Sequence, residues 1–335
     1  MSRIVATTQR QLGVAQGELA SGQYQDPGLR LGAMSGLDAS LKSQASRIQS
    51  LVESNGLVSG SLDAARSAID SIRSSAQGLA GQLAVWTPGS QGVSLKELGT
   101  SGLDAFVAAT NTSYNGQYVL GGINSGQPPV NDVSSPMSPA RSALRSAFTS
   151  RFGFPPEDPA AANITPDALQ AFLDQDLAGQ FEPGAWKANW SKASSENVRA
   201  DIAPGRAVTI STNANQDGFR NFAMAATILG ELGESSLSDA ARSTVVSVSS
   251  SLLARSASDL AKSEAGLGVA QSEIRAATTS MQSQATIIQA QIAGYEQADP
   301  YVTATSISVL TTRLQSAYQL TAQLQQLSLV KYLGP

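Results

Sequence analysis

Alternate steps of three and four residues from Met34 land on Leu37, Leu41, Gln44, Ile48, Leu51, Asn55, Val58, Leu62, Ala65, Ile69, Ile72, Ala76, Leu79 and Leu83. Only Gln44 and Asn55 interrupt this run of seven heptads. Apolar side chains at that spacing fall on one stripe of a helix, and the stripe needs a partner. The register returns over the same length at Val246, Ser250, Leu253, Ala257, Leu260, Glu264, Leu267, Gln271, Ile274, Thr278, Met281, Ala285, Ile288, Ile292 and Tyr295. Two helices of equal length, each about 75 Å at 1.5 Å per residue, are natural partners. The second stripe is polar between Glu264 and Thr278, so its middle is expected to pack less firmly.

A shorter stripe precedes the first long one, at Val5, Thr8, Leu12, Ala15 and Leu19. Another follows the second, at Ile307, Leu310, Leu314, Ala317, Thr321 and Leu324, widened by Leu320 and Leu327. Each is set off by a breaker: Gly22 to Gly28 around Asp26-Pro27, and Gly294 to Pro300 around Asp299-Pro300. Proline disfavours helix in the residue before it, so an extended or kinked break is expected at both places. The order is palindromic and predicts both termini together at one end of an elongated hairpin. From Tyr301 onward the charges are Arg313 and Lys331, and the polar positions are Gln, Ser and Thr. Solvated surface helices carry charges opposite their apolar stripe; a nearly uncharged one suits a helix crowded by neighbours.

The middle differs. Ten of the fourteen prolines lie between Pro128 and Pro204, and seven of the eight phenylalanines between Phe148 and Phe222. This predicts a small inserted α+β domain in an otherwise mainly α, coiled-coil-like helical bundle. Helices are expected at Thr165–Leu177 and Asp217–Leu232, and a strand at Ala207–Ser211 from its period-two alternation. Tyr118-Val119-Leu120 reads as a strand, followed by a turn at Gly121-Gly122. The predicted divisions are 1–21, 22–130, 131–215, 216–298 and 299–335.

The chain has neither cysteine nor histidine. That removes disulfides, thiolate metal sites, zinc motifs built on histidine, and the Ser-His-Asp and Cys-His arrangements. Trp186 and Trp190, four apart, read as a helix face in a small core rather than a ligand platform. Glu157, Asp158, Asp174 and Asp176 lack any calcium-loop or phosphate-loop context and read as solvated acids. No catalytic residue, cofactor or metal is expected. With a formal charge of −4 and no lysine/arginine run, nucleic acid is not an expected partner. No stretch reaches the roughly 18 consecutive apolar residues of a membrane span. The N-terminus lacks the apolar segment of a secretory signal, so the chain is expected in the cytosol or exported without a cleaved signal peptide.

Three stretches carry a resemblance. Leu19-Ala20-Ser21-Gly22 followed by Asp26-Pro27 is similar to the helix-ending Ser-Gly and Asp-Pro spoke of the flagellin superfamily, with the Ser-Gly earlier than is usual there, which implies either a short innermost helix or a true start upstream. Tyr114 to Ser125, with Gly116, Gly121 and Gly122, resembles a turn of that superfamily's hook–filament junction members (hook-associated protein 3). Asp299-Pro300-Tyr301, Tyr318 to Ala322 and Leu327 to Leu333 resemble the junction members' ending more than that of filament flagellins. The middle resembles the alphaproteobacterial version. The likeness implies an extracellular structural protein of the bacterial flagellum, joining hook to filament. It implies self-association into a helical ring and contacts with another hook-associated protein and with flagellin subunits. It also implies an export chaperone and the flagellar type III export apparatus. The assembly positions expected are Val5, Leu12, Leu19, Ile307, Leu310, Leu314, Tyr318, Leu320, Leu324, Leu327, Leu329 and Tyr332, and the breaks and turns are Gly22, Pro27, Gly116, Gly121, Gly122 and Pro300. The alternatives are a filament flagellin, an unrelated helical scaffold or virus-tail component, and a binding or catalytic central domain on a helical stalk.

Overall fold

The structure, a computed structural model, describes residues 2–88, 94–133 and 138–333, with side chains from 3 to 324 in those ranges. The helices are α1 (Ser2–Ser21), α2 (Pro27–Leu31), α3 (Ser35–Ala84), α4 (Leu95–Thr110), α5 (Pro139–Phe152), α6 (Pro166–Ala171), α7 (Pro183–Asn189), α8 (Asp217–Leu232), α9 (Asp239–Glu296) and α10 (Pro300–Leu333). Two antiparallel hairpins accompany them: β1 (Ser113–Tyr114) with β2 (Gln117–Tyr118), and β3 (Arg199–Ala203) with β4 (Arg206–Thr209). The fold is mainly α, as the heptads predict. It divides into two compact units, residues 1–52 with 280–335, and residues 53–279.

In the larger unit, α3 and α9 run antiparallel. Asn55 meets Thr278, Asp63 meets Gln271 and Arg73 meets Glu264, so rising numbers on one helix oppose falling numbers on the other. Leu62, Ile69, Ile72, Leu79 and Leu83 are buried from the first stripe, and Leu253, Leu260, Leu267 and Ile274 from the second. The polar middle of the second stripe is tied in rather than loose. Gln271, 2 % exposed, donates to Asp63 and accepts from Arg66 at 2.9 Å. Glu264 lies 3.4 Å from each of Arg66 and Arg73. Long side chains from the stripe's edge supply the partners that buried polar groups require, which the seam positions alone do not reveal. Asn55, also 2 % exposed, donates at 2.8 Å to the carbonyl of Ile202 and so fastens β3 to α3.

The same unit holds one continuous core. Helices α4 and α8 cross where Gly99 meets Gly230: a Cβ on Gly99 would sit 2.1 Å from the Gly230 nitrogen and 2.6 Å from the Ala226 carbonyl oxygen. Only glycine permits that backbone approach. Phe106 on α4 stacks on Phe222 of α8, their ring centroids 5.4 Å apart. Trp186 and Trp190 are buried and stacked, 5.1 Å between centroids, in the core role their spacing predicts. The buried side chains of 140–202 belong to this same cluster.

Three local expectations change in detail. The helix expected at Thr165–Leu177 begins as α6 and continues as a wider π turn over Phe172–Leu177. Phe172, Leu173 and Leu177 all point inward from it. The strand expected at 207–211 is β4, and its pairing extends through the Ile210 N–H to the Val198 carbonyl. The strand expected at 118–120 ends at Tyr118. The chain reverses earlier, at Asn115-Gly116, both with positive φ (49° and 77°), the combination a tight two-residue hairpin needs.

The smaller unit contains α1, α2, the start of α3, the end of α9 and α10. Its two Asp-Pro pairs do more than interrupt helices. Asp26 Oδ1 accepts from the Leu29 N–H at 3.0 Å, and Pro27 opens α2. Asp299 Oδ1 accepts from the Tyr301 N–H at 2.8 Å, and Pro300 opens α10. Each Asp-Pro is an N-cap followed by a proline at the first helical position, where its missing N–H costs nothing. The break itself is shorter at the C-terminal site, because α9 runs on to Glu296.

Candidate assembly surface

Helices α1 and α10 pack against each other, joined at their base by a backbone bridge. Gln23 pairs antiparallel with Gln297, Tyr24 N–H donates to the Glu296 carbonyl at 2.9 Å, and Ala298 N–H donates to the Gly22 carbonyl at 2.9 Å. Gly22 adopts φ 70°, a left-handed conformation that ends α1 and turns the chain into this bridge. Below it, Lys42 on α3 contacts both Asp38 and Glu296. The hydrogen bond to Glu296, then that to Asp38, holds the Lys42 ammonium above its ordinary pKa.

The inward face of α10 presents Thr303, Ile307, Leu310, Leu314, Ala317 and Thr321; that of α1 presents Val5, Thr8, Leu12 and Ala15. Farther out, Gln9 Nε2 donates to the Tyr318 hydroxyl at 2.8 Å. So Val5, Leu12, Ile307, Leu310 and Leu314 lie in the seam between the two helices. Leu19, Tyr318, Leu320 and Leu324 face outward, 42–51 % exposed. Glu18 takes the position nearest the seam that the sequence stripe gives to Leu19. It is 6 % exposed and accepts from the Gln25 N–H at 3.3 Å. The side chains of Leu327, Leu329 and Tyr332 lie outside the described residues.

A second, outward apolar row accompanies the seam. Ile4, Val302, Val309 and Leu320 are all about half exposed or more, and Ile4, Val309 and Leu320 line a groove of about 590 Å³ between α1 and α10. Ile4, Val302 and Val309 escape a reading that follows a single seam. The signal for the two on α10 is their spacing of 7 and 11 residues with Leu320 (302, 309, 320), a row about a quarter turn from the seam. Arg313 also lines the groove and is exposed, but four hydroxyls beside this row are already satisfied. The hydroxyls of Thr8, Thr305, Thr312 and Ser316 donate to the carbonyls of Ile4, Tyr301, Ser308 and Thr312, four residues earlier in each case. A hydroxyl bonded to its own backbone needs no water when the surface is covered, so burying these four costs little in desolvation. The arrangement suits a largely apolar protein contact with the Arg313 guanidinium beside it.

The glycines of the 114–125 turn belong to the larger unit. Gly116 completes the β1–β2 turn. Gly122, with φ 61°, lies where a Cβ would be 2.5 Å from the Glu196 carbonyl and 2.6 Å from that of Ser194. Gly121 bridges to Asn213. The turn is thus locked against 194–196 and 212–214. Among the described residues no group of three or more acidic side chains could hold a metal ion, and no helix is long and apolar enough to cross a membrane.

Residues 1–125 match the family model of the bacterial flagellin N-terminal helical region, and residues 251–333 match that of the bacterial flagellin C-terminal helical region. No curated protein and no solved structure matches the chain.

Proposed function

The chain belongs to the flagellin superfamily and is a structural, extracellular component of the bacterial flagellum, and from that premise we propose that it is the adaptor joining hook to filament. Copies associate through α1 and α10 into a helical ring, and the ring's two faces engage another hook-associated protein and flagellin subunits. The observation that carries the polymerising part is the outward row Ile4, Val302, Val309 and Leu320, bordered by hydroxyls that need no water. The adaptor role, as against that of filament subunit, is supported by the resemblance of Tyr114–Ser125 and of the ending Ser328 to Leu333 to junction members. Segments 1–21 and 299–335 form the inner tube, and 131–215 faces outward. The chain leaves the cell through the flagellar type III apparatus with a chaperone. A strain lacking the protein assembles hooks without filaments and releases filament subunits into the medium. Intact filaments on those hooks refute the adaptor. The second reading, a filament flagellin, makes the chain the dominant protein of sheared flagella by mass.

A further inference from the structure

Charge is divided along the smaller unit. Residues 1–17 and 302–324, the outer length of α1 and α10, carry Arg3, Arg10 and Arg313 and no acidic residue. All three arginines are exposed. Residues 18–42 and 293–301, around the backbone bridge, carry five carboxylates against Arg30 and Lys42. Lys42 is taken by Asp38 and Glu296, and the Arg30 guanidinium lies over the Tyr24 ring, 5.0 Å from its centroid. The exposed acids of this base are Asp26 and Asp299, the two helix caps.

Each end also presents an apolar element to its surroundings. At the outer end it is the groove of about 590 Å³, whose exposed Ile4, Val309 and Leu320 stand beside Arg313. That volume lies within the range of sites that seat a compact apolar group. At the base it is Leu29, 83 % exposed, the most exposed large apolar side chain among the described residues. Leu29 is held rigidly. Pro27 opens its short helix α2, and Asp26 caps that helix through the Leu29 N–H, so knob and carboxylate share one turn. The groove's middle, at Arg313, lies thirteen residues beyond Pro300, about 20 Å along α10 at 1.5 Å per residue. Leu29 does not line it, and the base of the same copy leaves it open.

We propose that the groove of one copy receives the α2 turn of a second copy, with Leu29 seated among Ile4, Val309 and Leu320 and Asp26 meeting Arg313. This rests on the reading that copies associate through α1 and α10, and it adds the element that covers the groove and the axial stagger between copies. Knob and groove are different surfaces of one chain, so the contact is heterologous. Each copy receives at its outer end and gives at its base, and the pairing propagates instead of closing as a two-fold dimer. The opposite charges of the two ends favour this register. Pairing outer end to outer end would set three arginines against three more.

The chain has no cysteine, so an introduced thiol reports a single position. A ¹⁵N-labelled Val309→Cys chain is mixed with an unlabelled Leu29→Cys chain under polymerising conditions and treated with a short bismaleimide. Mass spectrometry identifies the cross-linked peptides. The expected product joins position 29 of an unlabelled chain to position 309 of a labelled one, and its yield falls as salt screens the end charges. Leu29→Ser should raise the critical concentration about tenfold, as burial of one leucine side chain implies. Its thermal midpoint should stay unchanged, because Leu29 is exposed in the monomer. A sedimenting polymer whose links join 309 to 309, or that lacks the 29–309 link, overturns the proposal and leaves self-association standing. An unchanged critical concentration in Leu29→Ser does the same. A wild-type chain that never sediments as polymer overturns both.

Discussion

Replacing Leu320 by Ser separates assembly from folding on one helix. Leu320 is 51 % exposed on the outward face of α10, so roughly half of its side chain remains to be covered by a neighbour. Full burial of a leucine is worth about 1.5–3 kcal/mol, which leaves about 1 kcal/mol to be gained in the assembly. That corresponds to about a fivefold weaker contact per interface. Within the monomer the half already covered is lost as well, at about 1 kcal/mol, less than for an inward residue of the seam. Leu310→Ala is the inward control. Leu310 is 8 % exposed in the α1–α10 seam, and its truncation should cost about 2–3 kcal/mol of local stability. The assay is sedimentation of purified chain under polymerising conditions, paired with hydrogen exchange of α1 and α10 in the monomer. Leu320→Ser should raise the critical concentration several-fold and accelerate exchange only modestly, whereas Leu310→Ala should accelerate exchange more strongly across both helices. Unchanged polymerisation in Leu320→Ser, or exchange of its monomer as fast as that of Leu310→Ala, would refute the assignment of an outward contact face.

Gly99→Ala forces a Cβ into the backbone of α8, and the overpacking should lower stability by about 1–3 kcal/mol despite the better helix propensity of alanine. Gly78→Ala, in α3 with open space around it, should instead stabilise by about 0.5–1 kcal/mol; denaturant titration reads both. Gln271→Leu strands Asp63 and removes a partner of Arg66, so chemical unfolding should show a loss of about 1–3 kcal/mol. The hydrogen bond from Arg145 holds the Glu157 carboxyl below its ordinary 4.5, with burial opposing. The resulting stability is present above the unfolded pKa and lost as pH falls through the lower folded value. Glu157 is 56 % exposed, so Glu157→Gln should remove no more than about 0.5 kcal/mol, and only the acid limb of a stability–pH profile should change.

The long helices were legible because a heptad stripe is a physical demand for a partner, and Ile48, Leu62, Ile69 and Ile72 are buried as the stripe requires. The network around Gln271 and Glu264 was not. Its partners Asp63, Arg66 and Arg73 sit off the stripe, where sequence spacing treats them as solvated. The Asp-Pro pairs were visible as breaks, but their capping role depends on where each following helix starts. The terminal surface was half legible. A single register finds the inner seam and misses Ile4, Val302 and Val309, because an outward apolar row has no partner within the chain to require it. Leu19 shows the converse: it continues the spacing, but Glu18, in the last turn of α1, is the buried residue that occupies the junction. The turn expected at Gly121-Gly122 is present, with Gly122 at φ 61°, but the strand before it is shorter, because the hairpin reverses at Asn115-Gly116, which supplies two positive φ angles.

The central claim is that this flagellar subunit links hook to filament through its terminal helices. Electron microscopy of a deletion strain, complemented with either the wild-type chain or Leu320→Asp, tests it most directly. The account predicts bare hooks in the deletion strain, filaments restored by the wild-type chain, and bare hooks again with Leu320→Asp although the variant is exported. Filaments seated on hooks in the deletion strain, or full restoration by Leu320→Asp, would contradict it.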